Sequence, residues 1–273
     1  MRSVQSLISL CISASDLGYI FVVQLRSLGF FAQFLKGRCT RRLYFLSTMF
    51  SPAGPSGLLL AAIFVTLSIC DSSAQAPAVR KIGEGIFAIG HLRVDTVKRE
   101  LTAPGEVNDV MTIEFMANTK GGLKAYECAL TIDTDAITFN AALMLLGLDP
   151  SRGRPSKFQF DPATPAGDPV EIHLEFGGKR VRAEELLFDQ RTKTTLAQGP
   201  WVYTGSTFFD AGHGRRFMAE EDGVLIGLMH GPAAIIENPR SDAVTGYGHF
   251  IINPGLGIPP GSKVSVIVTA LKR

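Results

Sequence analysis

From Val79 onward, apolar and polar residues alternate with a period of two, the mark of strands that bury one face. The run Ile86 to Val94 alternates and stops at Asp95-Thr96, and Val110 to Met116 ends at the loop signal Asn118 to Gly122. Tyr126 to Ile132, Val170 to Phe176, Arg182 to Phe188, Val224 to Met229 and Val264 to Leu271 continue the pattern. Gly177-Gly178, between two of these runs, signals a hairpin because glycine reaches positive φ at no steric cost.

One segment breaks toward helix. Asp133, Thr134 or Asp135 can cap a helix over about 135–147, with Ile137, Ala141, Met144, Leu145 and Leu148 within reach of one apolar face. Gly147 suits the left-handed position after the last turn, and Pro150 prevents continuation. The pattern therefore predicts an α+β, β-dominated fold in which one main helix packs on antiparallel sheet, with one sheet face left to solvent. The stretch Asp149 to Gly167 reads as an exposed loop with one short strand at Lys157 to Phe160.

Residues 57–70 carry no charge and are followed by the small, polar run Asp71 to Ala76. A span of that length is too short to cross a bilayer, which takes about 20 helical residues, and fits the apolar region of a secretory signal. Lys36, Arg38, Arg41 and Arg42 supply the positive flank, and the mature chain is expected to start between Gln75 and Val79. Residues 1–76 thus read as an N-terminal extension plus signal peptide, and residues 79–273 as a single domain in the periplasm or cell envelope. Leu67-Ser-Ile-Cys70 resembles a lipobox, which makes Cys70 a candidate lipidation site and the N-terminal segment a candidate membrane tether.

Charge supports this division. The 273 residues hold 27 Lys plus Arg and 25 Asp plus Glu, for a net charge of +2. Residues 1–76 contain 6 basic and 2 acidic groups, so 21 basic and 23 acidic remain in the domain, which is mildly acidic. A strongly basic nucleic-acid binder is excluded, and 46% apolar residues exclude a disordered chain.

Candidate chemistry is sparse. Of Cys11, Cys39, Cys70 and Cys128, only the last lies in the domain, and it sits in an apolar run that suits a buried, inert thiol. His91, His173, His213, His230 and His249 form no local zinc signature, so no metal or cofactor is implied. Gly83 to Ala88 fits a relaxed dinucleotide pattern, but no helix is expected after it. Ser206, Asp210 and His213 invite a hydrolase reading, although the local sequence lacks the nucleophile-elbow glycine spacing. Trp201, the single tryptophan, is a core anchor or a platform for sugar stacking.

Four blocks in order carry a family resemblance: Asn140 to Pro150, Gly167 to Gly177, Trp201 to Ser206 and Phe217 to Ile226. Together they resemble the YdjY-type domain of exported bacterial proteins over nearly all of residues 82–272. The resemblance brings no established catalytic residues. A ferredoxin-type label attached to such proteins disagrees with the single domain cysteine, since iron–sulfur clusters take four thiolates or a close variant. Family members often carry His-Glu where this chain has Tyr126-Glu127, and His where it has Asn140, so a metal held by those histidines would lack two ligands here.

The expected function is an exported, non-catalytic binding or interaction module for an unknown envelope ligand or protein, with no nucleic-acid partner. The alternative is an envelope hydrolase or metal-dependent enzyme using Glu127 or the Ser206/His213 region.

Overall fold

The computed structural model describes residues 10–13, 20–25, 30–31 and 78–272, apart from His213. The chain divides into two units, residues 1–69 and 70–273. In the first, β1 (Leu10–Ser13), β2 (Ile20–Leu25) and β3 (Phe30–Phe31) form a small antiparallel sheet. The apolar region 57–70, Cys70 and the cleavage region as far as residue 77 lie outside the described residues.

The second unit contains β4 (Val79–Gly83), β5 (Ile86–Ile89), β6 (Leu92–Asp95), β7 (Glu100–Val107), β8 (Phe115–Thr119), β9 (Cys128–Ile132), α1 (Ala136–Leu145), β10 (Asp168–Phe176) and β11 (Lys179–Arg182). It continues through α2 (Ala183–Leu186), β12 (Leu187–Asp189), β13 (Thr194–Thr195), β14 (Trp201–Tyr203), β15 (Phe208–Asp210), β16 (Arg215–Phe217), α3 (Met218–Asp222), β17 (Val224–Gly227), β18 (Ile236–Glu237), α4 (Asp242–Thr245), β19 (Phe250–Ile252) and β20 (Lys263–Ala270).

Hydrogen-bonded neighbours run β10, β14, β18, β17, β8, β9, β7, and β20 pairs with both β7 and β10, so eight strands close into a barrel. This corrects the expected antiparallel sheet with an open face. Closure depends on three long strands. Along β7, residues 100–102 pair with β6 and residues 105–107 with β9, while nearly its whole length pairs with β20. In the same way β10 gives its start to β14, its end to β11 and its middle to β20.

Two neighbouring pairs are parallel, β8 with β9 and β17 with β18. Each is joined by a short connection, residues 120–127 and 228–235, where a tight hairpin would have given antiparallel pairing. Both β8 and β17 are buried at every position, whereas β10 alternates over its first seven residues. The barrel is a packed core, with Met116, Leu130, Leu225 and Val268 fully buried in it, and it has no open lumen among the described residues.

Several expected elements shift. The run Ile86 to Val94 is a hairpin that turns at Gly90-His91, where Gly90 has φ +56°. Residues 110–114 lead into β8 without being strand, α2 interrupts Arg182 to Phe188, and Lys157 to Phe160 forms turns. Gly177 and Gly178 make the expected turn, both at positive φ.

Helix α1 starts where the capping signal placed it. Asp135 accepts hydrogen bonds from the Thr138 amide at 2.7 Å and the Thr138 hydroxyl at 2.6 Å. The buried face is different from the expected one: Ala136, Thr138, Phe139, Ala142 and Leu143 face inward, while Ile137 and Met144 are exposed. Only Thr138 and Asn140 interrupt the apolar run, so the sequence carries almost no phase information. Packing against β6, β17 and α3 decides the phase instead. Leu148 is buried as expected, and no described helix is long and apolar enough to cross a membrane.

Candidate functional site

The parallel pairing of β8 and β9 builds the site. Phe115 lies opposite Cys128 in the register, so the residues just before them, Glu114 and Glu127, meet at the same end of the two strands. The Glu114 amide donates to the Glu127 carbonyl at 2.9 Å, which fixes the two backbones together. An antiparallel pair would have sent these carboxylates to opposite ends.

Four separate segments then converge. Gln159 Nε2 donates to Glu114 Oε2 at 3.2 Å, and the Tyr247 hydroxyl hydrogen-bonds the same carboxyl. Phe160 meets the Tyr247 ring edge-on, with centroids 5.5 Å apart. Lys124 Nζ lies 3.9 Å from Glu127 Oε2 and 5.9 Å from the centre of the Tyr126 ring. That distance is beyond hydrogen bonding, and the buried Glu127 Oε2 has no donor among the described residues. Tyr126 and Tyr247 stand at the rim, 63% and 57% exposed, while Glu114 is buried.

Burial pushes the Glu114 carboxyl above its ordinary range, and the adjacent Glu127 charge adds to this, against the opposing bonds from Tyr247 and Gln159. Burial works against the Lys124 ammonium, but Glu127, Tyr126 and Glu114 together hold it above its usual value. The Tyr247 phenol is raised by the charge of Glu114 and by its bond to that carboxyl. A buried carboxyl that holds its proton more tightly than usual, beside a second carboxylate, suits proton exchange, and the exposed rings can stack against a ligand.

The other sequence candidates do not join this cluster. Ser206, at φ +59°, directs its hydroxyl to the carbonyls of Ala233 at 2.8 Å and Pro232 at 3.2 Å, a turn-stabilising role. Asp210 accepts the Gly212 amide, and His213 lies outside the described residues. Trp201 is fully buried, so it offers no platform for stacking; its Nε1 donates to Glu184 and the Arg240 guanidinium lies over its ring. Cys128 is buried, and burial pushes its thiol up, away from a nucleophilic role. Asn140 accepts a hydrogen bond from Tyr203 at 2.7 Å. Gly83 to Ala88 is the β4–β5 hairpin, with no helix after it.

His91 and Asp133 pair at 2.6 Å in a groove of about 600 Å³ beside the start of α1. Its other carboxylates are also engaged: Glu220 accepts the Ala136 amide, Asp135 caps Thr138 and Glu221 pairs with Arg216. No group of three or more His, Cys, Asp or Glu among the described residues is arranged to hold a metal.

Of the converging residues, the sequence singled out Glu127 alone. Glu114 falls on the polar phase of the run Val110 to Met116, Gln159 in the short strand expected at Lys157 to Phe160, and Lys124 and Tyr247 in connections without periodicity. Glu114 keeps the alternation of Thr112, Ile113 and Phe115 and so reads as an ordinary solvent-facing strand position, which gives no signal of its own.

Neither a curated protein nor a solved structure matches the chain significantly. The profile of the YdjY domain matches residues 92–269, which covers the barrel from β6 to β20 and every residue of the cluster. The chain therefore belongs to the YdjY domain family.

Proposed function

We propose that this chain is an exported protein of the cell envelope whose barrel domain is a binding module, with the ligand received on the Glu114–Glu127 face. The observation that carries the binding reading is the convergence of Glu114, Lys124, Glu127, Gln159 and Tyr247 beneath two exposed tyrosines, on a barrel whose interior is filled. Export rests on the apolar segment 57–70, its cationic flank and the small residues after it.

Co-sedimentation of the purified protein with envelope fractions, sacculi and membrane vesicles separately, tests the binding reading. The wild type is expected to sediment with one fraction and the Tyr126→Ala/Tyr247→Ala variant to stay in the supernatant; equal sedimentation of both would refute it. Export is tested by fusing residues 1–80 to a phosphatase that is active only outside the cytoplasm, and an inactive fusion would refute it.

A second reading, hydrolysis at the same face, is favoured by one observation: Glu114, raised by burial, lies beside the carboxylate of Glu127. It requires turnover that falls at least a hundredfold in Glu127→Gln. Binding without turnover leaves the module reading in place.

A further inference from the structure

We propose that His230 is a buried, proton-dependent latch: with both ring nitrogens protonated it ties the loop 157–163 to the segment 238–243, and loss of one proton frees the loop that supports the Glu114–Tyr247 face.

The ring geometry comes first. His230 is 2% exposed, its Nδ1 lies 2.6 Å from the Asp161 carbonyl oxygen, and its Nε2 lies 2.9 Å from the Asn238 carbonyl oxygen. Carbonyl oxygens only accept, and neither of these receives another hydrogen bond among the described residues. A neutral imidazole donates from one nitrogen and turns the lone pair of the other toward its neighbour. Opposite a carbonyl that lone pair repels, and a buried acceptor is left without a donor. Only the doubly protonated ring serves both oxygens. Turning the ring over would set carbon atoms against both.

Charge around the ring suits a cation. The Asp161 carboxyl is held below its ordinary range, first by bonds from the Lys157 and Ala163 amides and then by the charges of Lys157 and His230. Burial raises the Glu237 carboxyl, while its bonds from Ser156 and the charge of His230 act against that rise. The other charged groups on the neighbouring segments have partners of their own. Asp242 accepts from the Asn238 side chain, Arg240 lies over Trp201, and Glu114 bonds Gln159 and Tyr247.

The latch reaches the face through the chain. The Phe160 amide donates to the His230 carbonyl at 2.9 Å, and the His230 amide donates to the Ala243 carbonyl at 3.0 Å, so one residue holds both segments by backbone and by ring. Other hydrogen bonds of the loop are internal: the Lys157 and Ala163 amides bond the Asp161 carboxylate, and the Asp161 amide bonds the Phe158 carbonyl. The same loop carries Gln159, which donates to Glu114, and Phe160, which packs edge-on against Tyr247. The latch therefore closes at low pH and opens as pH rises, and the carbonyl that loses its donor is the point of release.

The test is an NMR titration of the purified full chain, labelled with nitrogen-15, from pH 6 to pH 9, following the His230 ring nitrogens and the backbone amides. Both ring nitrogens are expected to carry protons at pH 6 and one proton to leave by pH 9, with the Phe160 and Tyr247 amides shifting at the same midpoint. A ring with one proton at pH 6 would overturn the proposal. So would a ring that keeps both protons through pH 9, or loses one without moving Phe160. The titration is repeated in Glu114→Gln, where the step at Phe160 is expected to stay; its disappearance would assign the step to Glu114 and sink the latch. His230→Gln, which donates from one end only, is expected to show no step at Phe160, and a persisting step would again sink it. Should that variant fail to fold, the titrations of the wild type and of Glu114→Gln decide.

Discussion

The indole nitrogen of Trp201 donates to Oε1 of Glu184 at 3.2 Å, and both side chains are fully buried. The same carboxylate receives two bonds from Arg182 and the Gly199 amide, while the Arg240 guanidinium stacks 5.0 Å from the indole centre. Glu184 thus holds together β14, α2 and the segment before α4. Its removal would leave Arg182 and Arg240 facing each other without their buried counter-charge. Glu184→Ala is expected to cost about 3–5 kcal/mol, read as the shift in urea unfolding. A loss under about 1 kcal/mol would show that the pair is solvated in practice.

Gly167 permits a close approach. A Cβ there would sit 1.9 Å from the Tyr203 carbonyl oxygen, which is backbone and cannot yield locally. Gly167→Ala is expected to lose about 3 kcal/mol or more by overpacking against β14. Gly121→Ala serves as a comparison, since its φ is +78° but nothing lies within 4 Å; a cost of about 1–2 kcal/mol follows from backbone strain alone. Thermal unfolding of both variants checks the order, and equal losses would contradict it.

Glu114 makes a signed contribution to pH dependence. Its folded-state pKa is raised, so between the ordinary carboxylate value of 4.5 and the raised one the folded protein binds more protons than the unfolded chain. Its contribution to stability is therefore present at low pH and is lost as pH rises through that window. Glu114→Gln removes this term, and the difference in urea midpoint between variant and wild type is expected to move in favour of the variant from pH 4 to pH 8. A difference that is flat, or moves the other way, would show that the carboxyl is not raised. Taking the difference isolates Glu114 from Glu237, which is raised by burial, and from Asp95, lowered chiefly by its bond from the Lys98 amide.

Cys128 offers a packing test. Its thiol is buried and pushed up by that burial, so native protein treated with iodoacetamide at pH 8 is expected to leave the Cys128 peptide unmodified. The same peptide should label fully in 8 M urea. Rapid labelling without denaturant would mean that the edge where β8 meets β9 opens readily.

Local features of this chain were legible because they depend on short-range physics. The cap at Asp135, the stop at Gly147, the glycine turn at 177–178 and the alternation of β10 each involve neighbours a few residues apart. The helix face was not legible, because ten nearly uniform apolar residues leave the choice to whatever packs against them. Strand direction was not legible either, since alternation is the same in parallel and antiparallel pairs.

That second gap determined the site. The sequence by itself marked the runs that became β5, β6, β9, β10, β17 and β20, the start of the main helix and a buried Cys128, but not the barrel strands β7, β14 and β18. Only the tertiary structure closed eight strands into a barrel, turned β8 and β9 parallel and so set Glu114 beside Glu127. The reason is physical: two carboxylates 13 positions apart in sequence acquire a shared environment only when long-range hydrogen bonding brings their strand ends together, and no local pattern encodes that register.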